Sequence, residues 1–568
     1  MINLAVKLMR DFEYMNTTCV KKGRNMRALQ LLLLMFIFIP SVVYGGVNLK
    51  NGNFYTTYTD IILPGGGMDL EIVRTYNSKA TRKGWFGFGW GSDYETYLVV
   101  AADGSVTIHE NGSGARTRFV PKSKINPEKA ADKIIATIRK KSALSDTVVK
   151  TLRKKLINDS NLRLAYTKKY KISTNLASGT VLFSNTRGLQ QVVVTKKGYQ
   201  RKYNDGKVEF FNNKGEMFKI KNKNGYAVNL NYEKGQLKSI KDSAAKQLFF
   251  DWFQDGKVKH ISSAGGKKTS YKYRGDDLVE SKDIAKNLFA YTYDSNHNMT
   301  SIGYSDKTKL KISYLPKTLF VNKVVSRDGE STKYDYGSNS KNPDNHYWTT
   351  VTKTVAGSKE KSINKYEYEI KTKPDGSKYT YRIATTVNSL KTETIYSECC
   401  SLPLKITRGN HTTTFEYNAK GLLTKKASTK GDIVELEYHK EFNKITKVVN
   451  NKGWTKFAYD KKGNLTRATN NKGKSVALFY DIKGRIQKMF DKDSKSNKTR
   501  ILSFEYNALG KPVEIKMKGI GKINVAYDNY GEIKKVKSDQ GHKMALQVTQ
   551  AFQSLLAIVK PAGVNLNM

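Results

Sequence analysis

Six tyrosines, Tyr417, Tyr438, Tyr459, Tyr480, Tyr506 and Tyr527, stand 21, 21, 21, 26 and 21 residues apart. A register this strict confines the chain to an architecture built by repeating one small unit. Upstream, Phe211, Tyr232, Phe253, Tyr273, Tyr293 and Tyr314 follow at intervals of 21, 21, 20, 20 and 21. Two regular arrays therefore flank a less regular middle. The stretches FAYDKKGNLTRATNNKG (Phe457 to Gly473), LFYDIKGRIQKMFDKD (Leu478 to Asp493) and VAYDNYGEIKKVKSDQG (Val525 to Gly541) share one grammar. An aromatic residue ends a strand, polar residues lead to Gly463, Gly484 or Gly531 where a positive φ is needed, and alternation resumes at Leu465, Ile486 or Ile533. Each unit reads as a β-hairpin. One hairpin cannot bury its face alone, so the units must stack or coil, with the tyrosines forming a ladder along a shared sheet.

Composition agrees with a mainly β chain. Gly 43 against Pro 10, with Tyr 34 and Phe 23, supplies tight turns and sheet-favouring aromatics, and 568 residues at 39% hydrophobic suffice for more than one core. Lys+Arg 99 against Asp+Glu 50 leaves a net charge of +49, which solvent, counterions or an acidic partner must balance. The lysines are scattered through nearly every turn, so a solvated, lysine-edged β surface is the first reading. An anionic glycan or envelope surface is the second, and no specific nucleic-acid recognition is expected.

The Tyr-Asp-x-x-Gly-x-Leu units resemble the YD repeats of the RHS (rearrangement hot spot) family over roughly residues 201 to 543. The segment VNLKNGNFYTTYTDIILPGGGMDLEIVRTYNS (Val47 to Ser78), with GWFGFGWGSDYETYL (Gly84 to Leu98) and ADGSVTIHENG (Ala102 to Gly112), is similar to a domain on the N-terminal side of many RHS arrays. The resemblance implies a long sheet spiralling into a hollow, cocoon-like shell. A closed β-propeller, whose blades could each use two such hairpins, is the alternative fold. Many family members also carry a self-cleaving motif around Asp-Pro-x-Gly followed by an enclosed toxic domain. This sequence contains no Asp-Pro dipeptide, so a toxin-delivery role is not expected.

Four segments follow. Residues 1–45 read as an N-terminal extension and secretory signal, since Arg27 precedes an apolar run from Leu29 to Ile39 that Pro40 breaks, with cleavage expected near Gly45. That run is about half a membrane span, so no transmembrane anchor is expected to remain. Residues 46–200 form the RHS-associated β domain, interrupted at about 121–170 by helices with Asn126 and Ser145 as N-caps, Pro127 in the first turn, and Ile134, Ile138, Val148, Leu152 and Leu156 on apolar stripes. Residues 201–543 are the repeat array, and 544–568 a helical cap with Leu546, Phe552 and Leu555 on its apolar face. Cys399 and Cys400 are adjacent, and no disulfide framework is expected.

Catalytic patterns are absent. The nearest phosphate-loop candidate, Gly473-Lys474-Ser475, has Ala468 in place of the first glycine, and His109, His260, His297, His346, His411, His439 and His542 form no metal-binding spacing. No G-x-S-x-G elbow occurs. Asp460, Asp481 and Asp528 recur beside their tyrosines, which suits turn formers better than one catalytic pair. Trp85 and Trp90 could stack on sugar rings, but between glycines they more readily staple their loop to the array. No cofactor, metal or catalytic residue is assigned. The expected function is that of an exported, non-enzymatic β-repeat scaffold of the bacterial envelope or exterior, binding surfaces, carbohydrate or anionic polymers. The alternatives are a shell around a separately encoded cargo or toxin, and a secreted polysaccharide-degrading enzyme.

Overall fold

A computed structural model describes residues 44–559, apart from 64–67, 113, 124, 173, 185–188, 359, 494–497, 509 and 528–532. Nearly all of the expected signal segment lies outside the described residues, as do Asp528 and Gly531.

The hairpins join edge to edge. Twelve strands from Tyr97–Val100 to Val258–Ser263 form one antiparallel sheet, and twenty-four from Ser270–Arg274 to Ile533–Ser538 form another, each in strict chain order. Separate propeller blades would break such a meander into four-stranded groups, so the propeller alternative is excluded. Each repeat tyrosine marks a register shift, at Glu416/Tyr417, Glu437/Tyr438, Ala458/Tyr459, Phe479/Tyr480, Glu505/Tyr506 and Ala526/Tyr527. A bulge adds local twist. Repeated beside each of these tyrosines, it coils the sheet into a spiral shell. Distant turns consequently meet along a seam: Asn443 donates from Nδ2 to Asn204 Oδ1 at 3.0 Å, and Lys223 Nζ to the Gly463 carbonyl at 3.0 Å.

One face of the spiral is inner throughout. The N-terminal module, a four-stranded sheet of Tyr44–Asn48, Asn53–Leu63, Leu70–Asn77 and Trp90–Ser92, packs on it through Tyr58, Ile72, Tyr76 and Phe86 against Tyr271, Leu278, Tyr291 and Ile302. At the other end the C-terminal helix Gly541–Val559 lays Met544, Val548, Ala551, Phe552, Leu555 and Ile558 on Leu478, Met489, Leu502 and Ile515 of the same face. This helix caps the array as its spacing suggested, except that Leu546 points to solvent at 48% exposure. Between these fillings the strands lengthen, reaching twelve residues in Lys361–Thr372. Longer hairpins remove the 21-residue period while the meander continues unbroken.

Three helices, α1 (Pro127–Arg139), α2 (Asp146–Asn158) and α3 (Ser160–Tyr170), occupy the insertion. Asn126 caps α1 by accepting from Lys129 N, while Ser145 makes no side-chain cap. Ile134, Ile138 and Leu156 are buried, with Val149 and Leu152 packed against them. Val148, expected on the apolar stripe, is instead 49% exposed, because Val149 takes the inward position. Two further corrections concern the array. The boundary expected at 200 falls inside the twelve-stranded sheet, since strands from Tyr97 onward pair continuously with the repeats. In the upstream array Trp252, not Phe253, occupies the ladder position: the register shift falls at Asp251/Trp252, and the indole donates to the Leu237 carbonyl at 2.8 Å.

Candidate functional site

The ladder has a chemical basis beyond shared burial. Each repeat phenol reaches back 14 to 20 residues to a backbone carbonyl at the start of an earlier strand: Tyr417 to Pro403, Tyr438 to Leu423, Tyr459 to Ile445 and Tyr480 to Leu465, all at 2.7 Å, Tyr506 to Ile486 at 2.6 Å and Tyr527 to Pro512 at 2.9 Å. Burial pushes the phenols of Tyr417, Tyr438 and Tyr459 up to about 12, so they stay protonated donors. The turn after each tyrosine is held by its acidic or amide neighbour. Asp460 Oδ1 accepts from the amides of Lys462 and Asn464 at 2.9 and 2.8 Å, and Asp481 Oδ1 from Lys483 and Arg485 at 2.9 Å each. Gly463 and Gly484 complete those turns at φ of 70° and 75°, a region open to glycine at little steric cost. These carboxylates are consumed by turns.

The aromatic loop of the N-terminal module is likewise structural. Trp90 is 3% exposed, packs against Tyr58, Tyr76 and Tyr291, and donates from its indole to Tyr293 Oη at 2.9 Å. It presents no open ring face to a sugar. Half-buried Trp85 packs edge-on against Phe250 and Trp252, and its carbonyl accepts from Val258 N at 2.8 Å. At the centre of this interface lies an ion pair that the motif search missed. Arg74 Nε meets Asp60 Oδ2 at 2.6 Å with both side chains at or below 1% exposure. Arg74 Nη2 donates to Ser281 Oγ at 2.6 Å and Tyr291 Oη at 3.0 Å, and Tyr271 Oη donates to Asp60 at 2.8 Å. Strand alternation held the signal: Ile72, Arg74 and Tyr76 share one parity, which places a cation on the buried face.

The inner face between the two fillings is the remaining large surface. Cross-strand pairing aligns Tyr336, Thr349, Tyr366, Thr385 and Thr392 in one row, with Tyr347, Tyr368, Ile383, Thr394 and Ile406 in the next. Thr349 is buried and donates to the Leu49 carbonyl at 2.6 Å, while Tyr336, Tyr366, Thr385, Ile383 and Ile406 are half-buried. This band of tyrosine, threonine and isoleucine therefore continues the face that elsewhere holds polypeptide.

Among the described residues one cluster has the donor types of a metal site. His346, Glu367 and Glu369 place ligand atoms within 4.8 Å of one another. Arg382 already occupies it, with Nη1 at 3.1 Å from Glu367 and 2.7 Å from Glu369, and Nε at 2.7 Å from Glu393. Burial opposes ionisation of Glu367, but hydrogen bonds from His346 and Arg382, with Lys365 nearby, hold its carboxyl down to about 2. The cluster is a cross-strand salt-bridge network. Cys399 and Cys400 are joined to each other in a turn.

Comparison with known proteins finds likeness both in sequence and in structure. A family model described as a domain of unknown function, DUF6531, matches residues 45–119. A tRNA3(Ser)-specific nuclease, WapA of Bacillus spizizenii, is 36% identical over 80 residues, which is 14% of this chain and 3% of that protein. Among solved structures, the TcdB2-TccC3-Cdc42 crystal structure is matched over 77% of this chain at 12% identity with a TM-score of 0.41. The Photorhabdus luminescens Tc holotoxin pore is matched over 86%, also at 12% identity and 0.41. In both, this chain covers 30% of the other's length.

Proposed function

We propose that this chain is a non-catalytic RHS-type scaffold, exported by a bacterium, whose spiral sheet holds a polypeptide cargo against its inner face. The observation that carries this reading is the band from Tyr336 to Ile406, which continues the face occupied by the N-terminal module on one side and by the C-terminal helix on the other. A surface that accepts a folded module and a helix from its own chain has the polarity and curvature to accept another segment. The seam between residues 204–224 and 443–463 supports enclosure by tying successive turns together. The repeat register and the DUF6531 match over 45–119 support the RHS assignment, and the basic and apolar run from Met26 to Gly46 supports export.

Single cysteines distinguish the two faces. In a chain with Cys19, Cys399 and Cys400 replaced by serine, Thr385→Cys (inner) and Glu416→Cys (outer) are each treated with a small maleimide and with a polymer-linked one. Enclosure predicts that both cysteines react with the small reagent and only the outer one with the bulky reagent. Equal labelling by the bulky reagent would refute it.

A further inference from the structure

A separate cavity of about 830 Å³ lies where the N-terminal module meets the twelve-stranded sheet, between the strands Tyr97–Val100, Val106–Glu110 and Ala115–Pro121, the 79–84 loop and the end of α3. Strand pairing places Tyr97, His109 and Arg116 in one row. The rings of Tyr97 and His109 stack at 4.6 Å, 3° from parallel. Arg82 lies over the same tyrosine ring at 4.9 Å, and Lys168 donates to its hydroxyl at 3.0 Å. Three cations thus converge on one aromatic pair.

The charge there is concentrated even for so basic a protein. Lysine and arginine outnumber acids 99 to 50 over the whole chain, but five to one in the cavity lining. The single acid, Glu110, is bound by Arg201 at 2.5 Å. Lys83 is paired with Asp276 at 2.6 Å, and Lys79 donates to the Thr318 carbonyl at 2.6 Å. Among the described residues Arg82, Arg116 and Lys168 make no ion pair with a carboxylate, although Arg82 lies in the field of buried Glu95, so counterions or a bound anion must balance their charge. A second, independent sign is His109. It is 6% exposed, yet its Nε2 has no hydrogen-bond partner, where buried polar atoms ordinarily have one. Burial, followed by Lys168, Arg116 and Arg82, holds its pKa down to about 3, so the ring is neutral at pH 7.

We propose that this cavity binds a small oxyanion, the phosphate or carboxylate group of a larger polar molecule, held by Arg82, Arg116 and Lys168 beside the Tyr97–His109 pair. Guanidinium groups match such oxyanions with paired N–H donors, and a volume of about 830 Å³ leaves room for the group that bears the charge. A bound anion offsets the three cations and so raises the His109 pKa from its depressed value, while burial continues to hold it down. The site is independent of the scaffold reading, because it lies outside the inner band.

The test titrates the full chain with inorganic phosphate, glucose 6-phosphate, glucuronate and glucose at low and moderate salt. Phosphate or glucuronate should bind in a salt-sensitive way and glucose should not; the sugar phosphate against glucuronate tells which oxyanion is preferred. Arg116→Gln and Lys168→Gln, both at exposed side chains, should each weaken binding about tenfold, while Lys430→Gln in a distant turn leaves it unchanged. The His109 ring resonance should titrate at higher pH with the anion present. The proposal is overturned if no anion binds, if glucose binds as well as the anions, or if Lys430→Gln weakens binding as much as Arg116→Gln.

Discussion

Replacing Arg74 with methionine should undock the N-terminal module from the sheet. The new side chain is unbranched and apolar but shorter, and Asp60, 1% exposed, loses the guanidinium at 2.6 Å and retains the Tyr271 hydroxyl at 2.8 Å as its side-chain donor. An uncompensated buried carboxylate costs about 3–5 kcal/mol. Arg74 also sits 4.6 Å from the rings of both Tyr58 and Trp90, and losing those contacts adds about 1 kcal/mol. The magnitude can be read locally by hydrogen exchange of Leu70–Asn77 and of its docking partner Leu288–Tyr293. A loss of 3 kcal/mol accelerates exchange by about a hundredfold, while strands near Tyr459 remain unaffected. The double variant Asp60→Asn/Arg74→Met removes both charges and should recover much of the loss. The reasoning fails if Arg74→Met changes exchange less than about fivefold, or if the double variant is as damaging as the two single effects added together.

Tyr459→Phe removes the bond to the Ile445 carbonyl at 2.7 Å and should cost about 1 kcal/mol in urea unfolding. Gly484→Ala should destabilise more than Gly256→Ala. Both glycines have positive φ and share a left-handed penalty of about 1–2 kcal/mol, but an added Cβ at Gly484 would lie 2.4 Å from Asn224 across the seam, whereas none meets an atom within 4 Å at Gly256. Paired cysteines at Asn204 and Asn443, whose amides meet at 3.0 Å, should form a disulfide in the native protein and not after denaturation, as read by non-reducing electrophoresis. Glu95 is buried, and burial raises its carboxyl to about 7, against the opposing hydrogen bonds from Trp85 and Ser92 amides. Its folded pKa exceeds the unfolded value, so this stabilising contribution is complete below about pH 4.5 and is lost as pH rises through 7, a span of about 3 kcal/mol. Melting of the N-terminal module should therefore weaken from pH 5 to 8 in the native chain and remain flatter in Glu95→Gln.

The hairpin unit, its tyrosine register and its turn glycines are local properties. Tyr-Asp-x-x-Gly forces a strand end, a side-chain-capped turn and a positive φ within a few residues, and the same pattern recurs wherever those residues do. Helical periodicity also placed Ile134, Ile138 and Leu156 in the helical core. Where one residue of slip was available, as at Phe253 against Trp252 or Val148 against Val149, spacing alone could not choose, because the deciding contact comes from another element. Coiling, the seam between residues 204–224 and 443–463, the Arg74–Asp60 lock and the cation-lined cavity join residues between tens and hundreds of positions apart. They arise from the accumulated twist of many bulged hairpins and from docking against one face. Those are sums over the whole sheet, written in no single stretch of the chain.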